Sequence, residues 1–187
     1  MRPLLLTLAV VVGFAAAACG SQDGPPPAPA TLGATALPEL DSAARTLDTA
    51  AVAFDAFDMA SLEELLVEAG FETGSEREFS GKTKTFDHVV ARTLVFETED
   101  GALAYLDWLR GHGDDVLGRA VPATIAPPGE DGIAFELERC GTCKKELPTF
   151  LAGWRREDRV LTLLAAGSGA NPARFTVLVR EHDEAAA

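Results

Sequence analysis

Positive charge is scarce in this chain. Sixteen Lys and Arg face twenty-nine Asp and Glu over 187 residues, a net charge of −13. Nucleic acid is a poor partner for such a surface, because neutralising phosphates takes clustered Lys and Arg. Aromatic residues amount to 7 %, too few to build a platform on which single-stranded bases stack. No Gly-x-Ser-x-Gly run marks a nucleophile elbow. There are three cysteines and three histidines, and no second CxxC or HxxxH pair supplies the four ligands of a structural zinc. No metal site and no cofactor is expected. Long apolar runs are also missing: Pro3 to Ala18 falls short of the about 20 residues a spanning helix needs.

What is present begins with MRPLLLTLAVVVGFAAAACG. Arg2 precedes an apolar stretch, Leu4 to Phe14, then the small residues Ala15 to Ala18, then Cys19 and Gly20, the order of an export signal. The run resembles the lipobox of bacterial lipoproteins, with Ala16 where Leu is commoner. That resemblance implies removal of residues 1–18 and a diacylglycerol on the Cys19 thiol. Two acyl chains of the palmitate kind anchor stably where one myristoyl chain is marginal. Removing Arg2 with the signal leaves a net charge of −14, which anionic lipid repels. The lipid on Cys19 is therefore expected to hold the chain at the extracytoplasmic face of the cell membrane. Residues 19–38 are rich in Pro, Gly and Ala and read as an extended tether. Residues 39–187 read as one extracytoplasmic domain, with its core-bearing part from about Leu40 to Asp183.

Within that domain Asp41 to Asp55 is ambiguous: Asp41-Ser42 suits a helix cap for a helix through Thr49, while Val52 to Phe54 alternates like a strand. Asp58 or Ser61 as N-cap, with Leu62, Leu65, Leu66 and Ala69 at helical spacing and Gly70 after them, predicts a helix. Glu76 to Ser80 and Asp87 to Glu97 flank a turn at Ser80-Gly81-Lys82 and predict a β-hairpin. A helix is predicted over Glu99 to Arg110, with Ala102, Tyr105, Leu106 and Leu109 inward and Gly111 and Gly113 ending it. Gly118 to Gly132 reads as a loop, and Gly132 to Arg139 alternates as a strand. Phe150 to Trp154 and Val160 to Ala165 pair across Arg156 to Arg159, and Asn171 with Pro172 opens a last helix. The fold class expected is α+β: an antiparallel sheet of about five strands with three or so helices mainly on one face. The chain as a whole resembles small lipoproteins of high-GC Gram-positive bacteria, some of whose domains resemble extracytoplasmic sensor domains.

The sharpest local signal is Cys140-Gly141-Thr142-Cys143-Lys144, with Pro148 five residues after the second cysteine. It resembles the thioredoxin active-site run. That resemblance implies an attacking thiol at Cys140 and a resolving thiol at Cys143. Against it, only 44 residues follow Cys143, and they read as a hairpin and a helix. In an exported protein the pair also suits a Cys140–Cys143 disulfide that pins a turn. His112 with Asp114 and Asp115 is a weak cation candidate, better read as a helix C-terminus. Gly167-Ser168-Gly169-Ala170-Asn171 reads as a tight turn and cap, without the spacing of a phosphate loop. Glu63-Glu64 and Glu97, Glu99 and Asp100 suit helix starts and polar faces rather than acid–base work.

No residue set stands out as catalytic. The expected function is a non-enzymatic, membrane-anchored binding or sensor-like domain with a structural disulfide, its ligand or envelope partner open. The alternative is an extracytoplasmic thiol–disulfide oxidoreductase using Cys140 and Cys143.

Overall fold

The strands β3 (His88–Phe96), β6 (Thr149–Arg156) and β7 (Arg159–Ala166) are rich in β-branched and aromatic residues, and their alternation puts apolar side chains on both faces. A computed structural model describes residues 28–53, 59–129, 131–138 and 146–187 of the chain. Among them, these strands form the centre of a seven-stranded, wholly antiparallel sheet. The others are β1 (Asp41–Leu47), β2 (Phe71–Ser80), β4 (Ala120–Pro122) and β5 (Ile133–Leu137), in the order β1-β2-β3-β7-β6-β5-β4. The strand count exceeds the five expected. Exposed β1 has few β-formers, and three-residue β4 carries Pro122 at a sheet edge, where proline is tolerated.

Among the described residues five helices accompany the sheet: α1 (Thr49–Ala53), α2 (Met59–Glu68), α3 (Glu99–Gly111), α4 (Gly113–Leu117) and α5 (Pro172–Ala186). They do not share one face. The cluster of Val89, Ala91, Phe150, Trp154, Leu161 and Leu163 packs with Phe175, Leu178 and Val179 of α5. The opposite residues of the same strands, among them Leu94, Phe96, Leu151 and Val160, pack with Val52, Leu62, Leu66, Tyr105, Leu106 and Leu109 of α1 to α3. Because strand side chains alternate, one central sheet supplies two cores.

Two expectations at the N-terminal side are corrected. Asp41 to Leu47 is strand, not a helix start, and Val52 lies in α1, not in a strand. The cap belongs instead to Asp48, whose carboxylate accepts from Ala51 N at 2.8 Å. The segment read as tether is also packed from Pro29 onward. Ser75 Oγ donates to Pro29 O at 2.6 Å, Thr93 Oγ1 to Ala30 O at 2.7 Å, and Leu32 is buried in the α5-side core. The predicted helix after residue 58 is α2, with Leu62 and Leu66 buried and Gly70 in the left-handed region at φ 69° ending it. The caps of α3 and α5 are Thr98, accepting from Gly101 N, and Asn171, accepting from Arg174 N.

Candidate functional site

Cys19, Cys140 and Cys143 lie outside the described residues. The flanks of the CxxC run are placed: Leu137 ends β5, Thr149 opens β6, and the two strands are antiparallel neighbours with Glu136 opposite Phe150. Pro148 is outside any helix, and its carbonyl accepts from Gly167 N at 3.1 Å. A thioredoxin motif follows a strand of a parallel βαβ unit; here the sheet has no parallel pair among the described residues.

The other sequence candidates hold structural posts. His112 joins α3 to α4, donates from Nδ1 to Trp108 O at 2.7 Å and stacks on the Trp108 ring at 4.8 Å. Asp114 accepts from Ala120 N at 2.6 Å. Among the described residues no group of three His, Cys, Asp or Glu is arranged to hold a metal ion. Glu99 pairs with Arg155, which also holds Asp131. Gly167 to Asn171 is a turn and a cap.

Sequence reading missed a polar row crossing the α1–α3 side of the sheet. Register places Arg45 opposite Glu76, Glu76 opposite Arg92, and Arg92 opposite Thr162. Arg45 Nε and Arg92 Nε each donate to a different oxygen of Glu76 at 2.6 Å. Glu76 is 4 % exposed, so burial pushes its carboxyl upward; the bonds and charge of Arg45 and Arg92 outweigh this and hold it below the ordinary value.

Helices cover only part of this face. Beside them a crevice opens whose sheet floor carries Arg92 and Thr162 with the apolar Val90, Leu151 and Leu164, and Val116 of α4 adds an apolar side. His88 stands at one end, 3.5 Å from Glu78. The crevice holds about 250 Å³. A smaller chamber of about 50 Å³ reaches in under Tyr105 and Trp108, sharing Arg92, Val116, Leu151 and Thr162 with it. Tyr105 and Trp108 of its α3 wall stand in a row of rings that begins at Phe96 of β3 and ends at His112, with successive centroids 5.9, 5.9 and 4.8 Å apart. The arrangement offers an apolar slot with a charged and a hydroxyl group at its base, the composition of a small-molecule site. Among the residues lining it, no nucleophile is paired with a general base.

Behind Arg92 the sheet is tied to α5. His182 Nε2 donates to the Arg92 carbonyl at 3.0 Å, and its buried ring is pushed down to a pKa of about 4 by desolvation. Trp154 Nε1 donates to Asp183 at 2.9 Å, and Arg156 binds both oxygens of the same carboxylate. The Arg156 bonds hold Asp183 below the usual carboxylate range.

No protein-family model matches the chain, and no curated protein sequence matches it. The fold is similar to that of the extracellular domain of PknH from Mycobacterium tuberculosis. The match has a TM-score of 0.50 and covers 78 % of this chain and 84 % of that one. At 12 % identity the likeness is one of fold.

Proposed function

We propose that this chain is an extracytoplasmic lipoprotein, anchored through an acylated Cys19, whose sheet domain works as a non-enzymatic binding or sensor-like module. The observation that carries the reading is the crevice: an apolar slot floored by Arg92 and Thr162 beside a buried ion network. A fold shared with the extracellular domain of PknH supports placement outside the cytoplasm. The antiparallel setting of the CxxC flanks favours a structural Cys140–Cys143 disulfide over a redox pair.

A ligand of this crevice has an apolar body and a polar group reaching Arg92 and Thr162. Anilinonaphthalene sulfonate, an aromatic probe with one anionic group, has that character. Its fluorescence should rise on titration with the full chain. Leu164→Asp, which puts a carboxylate in the apolar lining at a half-buried position, should weaken the rise, with the unfolding midpoint of the variant measured alongside to establish that it is folded. A signal undiminished by Leu164→Asp in the folded variant would contradict binding in the crevice.

A further inference from the structure

A second cavity, on the α5 side, is built from three separate segments. It holds about 400 Å³ between residues 36–40, the β2–β3 loop at 83–86, and α5. Leu40, Phe86 and Leu178 form a buried apolar base, and Val177 stands on its rim at 53 % exposure, one of few large apolar side chains so exposed. The loop wall is fixed. Thr83 Oγ1 accepts from Thr85 N and Phe86 N, both at 3.0 Å, and donates to Phe86 O at 2.7 Å. Behind it the Gly167–Gly169 turn packs so closely that a Cβ on either glycine would collide with the carbonyl oxygens of Thr85 and Lys84. The cavity is thus formed before any ligand arrives, which lowers the cost of binding.

Its rim is bipolar. Arg174, held by a hydrogen bond to Thr85 Oγ1, stands at the N-terminal end of the α5 wall. Glu181 lies seven residues on along the same wall, with Glu39 on the facing segment. Seven residues of helix advance about 10 Å at 1.5 Å each. An extended chain of three residues spans about 10 Å.

We propose that this cavity binds a short apolar peptide of about three residues by both termini, its carboxylate on Arg174 and its ammonium group between Glu181 and Glu39. The apolar side chains then cover Val177 and the base formed by Leu40, Phe86 and Leu178. This site is separate from the crevice on the opposite face, and each stands or falls alone.

The test is calorimetric titration of the full chain with tri-leucine, with its C-terminal amide and with its N-acetyl form. The free peptide should bind, and each capped form should bind about tenfold more weakly, about 1.4 kcal/mol per terminus. Arg174→Gln should bind the free peptide and the amide alike, and the double change Glu39→Gln with Glu181→Gln should lose discrimination against the acetylated form; all three positions are exposed, so none of these changes endangers the fold. Absence of binding by tri-leucine, equal binding of all three forms by the natural chain, or full discrimination retained in Arg174→Gln would each overturn the proposal.

Discussion

Burying Glu76 between Arg45 and Arg92 and burying His182 behind Arg92 set one shared demand on the solvent: the carboxylate must stay ionised and the imidazole neutral. The ordinary histidine pKa is 6.5 and that of buried His182 is about 4, so between those values the unfolded chain takes up a proton that the folded chain refuses. Stability therefore falls as pH drops from about 6.5 to 4, by on the order of 3 kcal/mol from His182 alone. Glu76 and Asp183, held below their ordinary values, lose their contribution at lower pH still, in the same direction. Urea unfolding between pH 7.5 and 4 should show this slope, and His182→Gln, which keeps a donor for the Arg92 carbonyl, should flatten its upper part. Equal stability at pH 7 and 4.5 would contradict the burial of a neutral imidazole. Part of this was legible in the sequence. Arg92 shares strand parity with Val90, Leu94 and Phe96, so a cation on an apolar face stands in plain view. Its partner was not legible, because pairing Arg92 with Glu76 depends on register between strands.

Among the elements, those with both a periodic stripe and a cap were readable: α3 with Thr98, and α5 with Asn171 and Pro172. What local pattern does not carry is the effect of a neighbour. Asp41 to Leu47 has exposed side chains at six of its seven positions and becomes a strand because β2 offers it an edge, with Asp41 opposite Ser80 and Leu47 opposite Gly74. The Pro- and Ala-rich segment before it has the composition of a tether, yet Leu32 is 1 % exposed and Ser75 and Thr93 bond the backbone at Pro29 and Ala30. A single buried leucine in a polar-poor, aperiodic segment gives no sequence signal. Its removal does give a stability signal. Leu32→Ala should cost about 2 to 5 kcal/mol in denaturant unfolding, as for a core leucine. A cost below about 0.5 kcal/mol would mean that the segment is a tether after all.

One sheet serves two cores, with a crevice beside α3 and α4 on one side and a cavity beside α5 on the other. Strands β5 and β6, which flank Cys140 and Cys143 in the sequence, pair antiparallel, and no strands among the described residues pair in parallel as in a thioredoxin crossover. A structural bridge there should have a reduction potential below about −300 mV, against about −120 to −270 mV for dithiol oxidoreductases. A potential in that higher range, measured on the Cys19→Ser chain, would revive the redox reading. The proposed anchoring of this domain at the extracytoplasmic face depends first on Cys19. Mass spectrometry of the N-terminal peptide from the membrane fraction decides it. The predicted result is a chain beginning at Cys19 and carrying diacylglycerol on the thiol; an unmodified chain still beginning at Met1 would contradict it.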